Sequence, residues 1–210
     1  MMADSWDDMT LREFQAALAS SSPTPGGGTA AAIALGQSAA LACMVCDLTL
    51  GNEKWQSGWP IADKVSNIAI PLFSRSLELA SEDSAAFDEV MAAFKMAKDD
   101  DEQIELRRVE IRRATLEAAR TPLETARLAY KLLSALPELA THGNANAVSD
   151  VGVASLFAST ACKGALMNVE INLSSLPVDM GAAERAECEQ LKVDVSEVSR
   201  ASIHAVQERL

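Results

Sequence analysis

Apolar residues recur along this chain at the three- and four-residue spacing of helices, and no run of alternating β-branched residues suggests a strand. The first helix is predicted over 10–19, with Thr10 as cap and Leu11, Phe14 and Leu18 on one face. The turn Ser-Ser-Pro-Thr-Pro-Gly-Gly-Gly at 21–28 breaks it. A long helix should follow to about Leu50, with Thr24 as N-cap, Pro25 at the first helical position and three glycines in the first turn. Gly51 and Asn52 stop it. From Ile61 to Lys98 the pattern is helical again; Pro71 should kink or break it, and Phe87, Val90, Met91 and Phe94 form an apolar stripe. After a polar turn at 99–102, a charged helix runs to about Arg120. Thr121-Pro122-Leu123-Glu124 reads as a capping box with proline at the first position, opening a helix to about Leu139. Beyond a break over THGNANAVSDVGVASL at 141–156, a helix runs through about Leu173 and Pro177 closes it. The last helix, from about Met180 to Leu210, carries Leu191, Val195 and Val198 on one stripe, continued by Ile203 and Val206. With no repeat, low-complexity tract or linker, the expectation is an all-α, single-domain bundle of about seven helices.

Composition sharpens this picture. Hydrophobic residues make up 49% of the 210 positions but aromatics only 4%, and alanine fills the gap. Alanine is the best helix former and lets helices approach closely. The net charge of −12 repels phosphate backbones and anionic headgroups, so neither nucleic acid nor membrane is an expected partner. The apolar stretch from Thr29 to Leu50 is interrupted by Gly36, Gln37, Ser38 and Asp47, and reads as a core helix rather than a membrane span. The start, MMADSWDDMT, has no basic leader and apolar run, so the cytoplasm is the expected compartment. Cys43 and Cys46 form C-x-x-C inside an apolar helix, with only His142 and His204 elsewhere; no metal site and no disulfide framework is expected.

Three places hold candidate chemistry. At 23–29, glycines in a helix's first turn expose amides and permit close approach, either of a ligand or of another helix. No Gly-Lys-Ser/Thr follows, so this is not a nucleotide phosphate loop. At 143–150, Asn144, Asn146, Ser149 and Asp150 crowd the start of an apolar helix, as caps or as a polar pocket. Asp83 precedes Phe87 by four and Val90 by seven residues, on the same face. It is either a helix-edge aspartate reaching solvent or a carboxylate turned toward the core, which must find partners or rise in pKa. Arg107, Arg108, Arg112 and Arg113 read as a solvated face.

Taken in order, PTPGGGTAAA at 23–32, GNEKW at 51–55, DSAAF at 83–87, GNANAVSDVGVA at 143–154 and NVEINL at 168–173 resemble the cyclodeaminase and methenyltetrahydrofolate cyclohydrolase family over nearly the whole chain. The resemblance implies an all-helical homodimer with a folate cleft and no metal or redox cofactor. Carried onto this sequence, it gives Lys54, Asp83 and Asp150 as catalytic residues, and Pro25, Gly26, Gly27, Gly28, Asn144, Asn146 and Ser149 as substrate-binding ones. In place of the family's lysine-rich stretch ending in tyrosine stands Asn52-Glu53-Lys54-Trp55. The implied activity is methenyltetrahydrofolate cyclohydrolase. Asp83 and Lys54 would handle water and protons while Asp150 binds the pterin's amino edge, and exchanging the two aspartates fits equally well. The alternatives are formiminotetrahydrofolate cyclodeaminase, which closes the same ring and expels ammonia, and a non-catalytic folate-binding dimer.

Overall fold

The computed structural model describes residues 6–210; the reading of the N-terminal start as leaderless rests partly on residues 1–5, outside that range. Thr10 opens helix α1 (Leu11–Leu18) as expected, through a reciprocal capping box with Glu13. The glycine turn behaves differently from the sequence reading. The Thr24–Pro25 peptide is cis, and α2 (Gly27–Thr49) begins after it with Gly26 as N-cap. Thr24 is therefore not the cap, and Pro25 is not the first helical residue. Gly26 has no side chain to offer, so Thr29, three residues on, accepts the Gly26 amide on its hydroxyl at 3.4 Å.

Pro71 breaks the next segment into α3 (Trp59–Ala69) and α4 (Leu72–Phe94). The second of these stops short of Lys98, at Phe94, whose carbonyl is taken by the Arg107 guanidinium through Nε and Nη2 at 3.2 and 3.0 Å. The predicted boundary at Thr121-Pro122 is absent. Helix α5 runs unbroken for 33 residues, Asp101–Leu133, with Pro122 inside it. Proline removes one amide and orphans the carbonyl four residues back. That carbonyl, on Ala118, is taken by Asn172 Nδ2 at 2.8 Å, so the helix survives its proline. The chain then turns into a separate short helix, α6 (Leu136–His142). Helix α7 (Val148–Ser174) follows, and α8 (Ala182–Gln207) starts from Gly181 in the left-handed region at φ +68°. Among the described residues there is no strand. Six helices of eleven residues or more form the bundle, not seven, and α1 and α6 are short additions of eight and seven residues.

Helices α2 and α7 lie antiparallel at the centre, flanked by α4, α5 and α8. Alanine makes this possible: Ala32, Ala39, Ala42, Ala154, Ala158, Ala161 and Ala165 are fully buried there. The leucines Leu35, Leu79, Leu123, Leu133 and Leu166 fill the spaces around them. Buried hydroxyls are satisfied within the bundle, as Ser38 donates to the Ala154 carbonyl at 2.7 Å and Ser155 pairs with Ser202 at 2.6 Å. By length and composition α2 is apolar enough to cross a membrane, but half of that window is buried by neighbouring helices. It is the core helix that its interruptions suggested.

Candidate functional site

The N-terminal end of α2 opens on a cleft of about 350 Å³. Its floor is the Gly26–Gly28 backbone, one wall is α4 with Asp83, Phe87 and Val90, and the other is α7 with Asn168, Ile171 and Asn172. Asp83 reaches the helix start because residue 28 is glycine. A Cβ there would lie 2.2 Å from Asp83 Oδ1 and 2.6 Å from its Cγ. The positive end of the α2 dipole favours a carboxylate at this spot, and the Thr29 hydroxyl donates to Oδ2 at 3.1 Å. Burial nevertheless dominates, raising the Asp83 pKa against the opposing bonds from Thr29. Among the described residues no basic side chain lies within ion-pair distance of it. A half-buried, unpaired carboxylate at a cleft floor suits proton transfer and the stabilisation of a cation.

Two cleft residues, Asn168 and Asn172, stand in the NVEINL motif at 168–173 but carry no site role in the sequence reading. Asn168 donates Nδ2 to the Gly164 carbonyl at 2.9 Å, and Asn172 donates to Ala118. The legible signal was two amides four residues apart, hence on one face, within an otherwise apolar helix.

The remaining predicted residues gather at the other end of α2. There the buried Asn144 donates its backbone N–H to the Thr49 hydroxyl oxygen at 3.0 Å, gives Nδ2 to the Leu48 carbonyl at 2.9 Å, and accepts from the Asn146 backbone N–H on Oδ1 at 3.0 Å. Its role in this chain is to tie the turn before α7 to the end of α2. Asn146 and Ser149 are exposed and Asp150 is half-buried in the first turn of α7. The lysine turn is fastened alongside. Trp59 Nε1 donates to the Thr49 carbonyl at 3.0 Å, and Gly58 lies so close to the His142 carbonyl that a Cβ would approach it to 2.2 Å. Lys54 is exposed, its ammonium 4.7 Å from the Trp55 ring centre, and Arg209 stands 5.9 Å from the same ring while donating to the Ala140 and Gly143 carbonyls.

Within one chain the predicted residues therefore form two groups. Gly26, Gly27, Gly28 and Asp83 line the cleft. Pro25 is buried beside them without lining it. Lys54, Asn144, Asn146, Ser149 and Asp150 belong to the far end of a helix roughly 34 Å long at 1.5 Å per residue. Among the described residues no cluster of three metal-ligating side chains occurs.

The family model for formiminotransferase-cyclodeaminase matches residues 10–190. The chain belongs to this family. It is 36% identical to a methenyltetrahydrofolate cyclohydrolase of Methylorubrum extorquens over 84% of its own length and 85% of that protein's. It is 32% identical to the formimidoyltransferase-cyclodeaminase of Rattus norvegicus over 82% of its length, but spans only 32% of that longer protein. The crystal structure of a formiminotetrahydrofolate cyclodeaminase from Thermotoga maritima superposes with a TM-score of 0.86 at 25% identity, covering 96% of this chain and 98% of that one. Family membership and the cyclodeaminase-like fold are as the five motifs implied. Length does not separate the two activities, because relatives of matching length carry either name.

Proposed function

We propose that this protein is a methenyltetrahydrofolate cyclohydrolase of the cytoplasm, converting 5,10-methenyltetrahydrofolate to 10-formyltetrahydrofolate. The observation that carries the reading is Asp83, an unpaired carboxylate half-buried at the glycine floor of a cleft walled by Phe87 and two asparagines. The bridging carbon of the substrate sits between two nitrogens that share a positive charge. A carboxylate beside it stabilises that cation and takes a proton from the attacking water. The water oxygen bonds to the bridging carbon. The bond from that carbon to the ring nitrogen then breaks, the nitrogen keeping the electron pair and receiving a proton, while the adduct's hydroxyl gives up its own proton to become the formyl C=O, so that one proton is released to solvent overall. Water addition to a carbon already this electrophilic requires neither metal nor redox cofactor.

The active unit in this reading is a homodimer. Helix α7 exposes Val153, Leu156, Phe157, Met167 and Ile171, and α2 exposes Met44 and Leu48 beside them; large unpartnered apolar surface marks an interface. A two-fold axis across the antiparallel pair reverses the ends of α2. Such pairing sets Lys54, Asn146 and Asp150 of one copy toward Asp83 of the other, uniting the two groups of residues. Lys54 then supplies the proton for the departing nitrogen and Asp150 pairs with the pterin's amino edge.

The first test is the loss of methenyltetrahydrofolate absorbance with purified protein, against uncatalysed hydrolysis in the same buffer. Acceleration that disappears in Asp83→Asn supports the reading, and a rate equal to buffer alone overturns it. Mixing inactive Asp83→Asn with inactive Lys54→Met restores activity if each site draws on both copies; a mixture that stays inactive sinks that part. The second reading, the cyclodeaminase, is supported by the Thermotoga maritima structure, and ammonia release from formiminotetrahydrofolate selects it.

A further inference from the structure

Behind Asp83 lies a chain of hydrogen bonds that leads away from the cleft. The Thr29 hydroxyl donates to Asp83 Oδ2 at 3.1 Å, Thr29 and Ser84 share a bond between their hydroxyls at 3.3 Å, and Ser84 accepts from Trp6 Nε1 at 3.1 Å. Ser84 and Thr29 are buried, at 8% and 0% exposure, so bulk water is kept from the bond between them. Trp6 stands in a short turn, Trp6–Asp8, packed on α4, with its ring edge-on to Phe14 at 6.5 Å.

Each hydroxyl in such a chain donates one proton and accepts on its other side, so the chain runs in one of two directions. An indole N–H is a donor only. Placed on Ser84, it occupies an acceptor position of that oxygen and makes the Ser84 proton a better donor and the oxygen a poorer acceptor. The Ser84 proton then faces Thr29, and the Thr29 proton faces Asp83. Without Trp6 the shared bond is free to reverse. Thr29 then gives its proton to Ser84, Ser84 gives its own to the Ala80 carbonyl at 3.4 Å, and Asp83 loses its hydroxyl donor.

The geometry points to Trp6 as a positioning residue that sets the direction of a buried hydroxyl relay ending on Asp83. This rests on the reading of Asp83 as the reacting carboxylate. Neither Trp6 nor Ser84 touches the cleft, and Trp6 precedes the family-matched segment. Charges on the surrounding elements are occupied elsewhere or exposed. On α4, Glu82 is held by Arg75, while Asp88 and Glu89 are exposed. On α5, Glu117 is held by Arg120 and Arg113 by Glu110. Glu170 of α7 is held by Lys192, Asp8 of the N-terminal turn is exposed, and α2 carries no charge before Asp47. Burial raises the Asp83 pKa and the bonds from Thr29 oppose it, with no charged side chain among the causes.

The test is the titration of the Asp83 side-chain carboxyl by carbon NMR, assigned with Asp83→Asn, in wild type, Trp6→Phe, Ser84→Ala and the double variant. Phenylalanine keeps a ring against Phe14 while removing the donor. Trp6→Phe is expected to raise the Asp83 midpoint by about half a pH unit to one unit, the worth of a weakened charge-assisted bond. With Ser84→Ala, Thr29 has no other hydroxyl to donate to, and Trp6→Phe should then shift nothing. The acid limb of the kcat profile should move with the midpoint while KM holds. No shift in the wild-type background overturns the proposal. An equal shift in both backgrounds does so too, because Trp6 would then act by packing alone. Full turnover in Asp83→Asn would instead overturn the function proposed above, while the titration still judges the relay.

Discussion

Replacing Gly28 by alanine separates the placement of Asp83 from the stability of the fold. The new methyl would stand 2.2 Å from Asp83 Oδ1, where ordinary contact begins at 3.4 Å. The backbone of α2 is packed against α4 and α7 and has no room to retreat. The carboxylate must therefore swing away by about an ångström or more, leaving the Thr29 hydroxyl that now lies 3.1 Å from it. Misplacing a reacting group by that much costs turnover on the order of 10²-fold. Stability should move far less, since alanine gains up to about 1 kcal/mol over glycine within a helix, offsetting the lost contact. The assay pairs methenyltetrahydrofolate hydrolysis with thermal unfolding of the same sample. The expected Gly28→Ala protein melts near wild type and turns over at about one-hundredth of its rate. A protein with unchanged turnover would show that the glycine serves helix packing alone, and that Asp83 need not sit where the structure holds it.

Other outcomes follow from the same geometry. Because burial raises the folded-state pKa of Asp83, the native protein holds this proton more tightly than the unfolded chain, so the ionised group lowers stability at neutral pH. Asp83→Asn should therefore raise Tm at pH 7, with the gain fading as pH falls through the folded pKa toward the ordinary aspartate value; a lowered Tm at pH 7 contradicts this. Asn172→Ala strands the Ala118 carbonyl beside Pro122 and should cost about 1–3 kcal/mol in a urea titration. Adding Pro122→Ala restores an amide to that carbonyl, and failure to recover any of the loss refutes the pairing. Met167→Glu puts a charge into the exposed α7 stripe and should yield monomers by light scattering with turnover lost; an active monomer would exclude a shared site. Arg209→Ala frees the Ala140 and Gly143 carbonyls and should raise KM more than it lowers kcat, with equal effects on both arguing against a role in holding the turn.

The helical class and most helix positions were legible because apolar spacing on a helix is a local property. The errors fell where a distant residue decided the outcome. Thr121-Pro122 looked like a helix start because its sequence is one, and only Asn172, fifty residues on, makes it an interior. Thr24 and Pro25 likewise carried cap chemistry, but α2 starts two residues later, with Gly26 as N-cap and its amide taken by the Thr29 hydroxyl. Asp83 was legible from its register with Phe87 and Val90. Its partners Thr29, Ser84 and Trp6 were not, since nothing in their own neighbourhoods marks them as converging. The five ordered motifs identified the family, yet no motif tells which ends of the bundle its residues occupy.

A carboxamide ordinarily offers a ligand a choice, for one half donates and the other accepts, and a half-turn exchanges them. Asn168 and Asn172 have given up that choice. Backbone carbonyls of Gly164 and Ala118 hold each amino half, the second left vacant because Pro122 within α5 has no amide to give it. What remains for a guest on each side chain is the acceptor oxygen and the second N–H, in a fixed orientation. The α7 wall thus presents donor and acceptor in places a guest cannot exchange, an order kept at Asn172 by a ring closure on another helix.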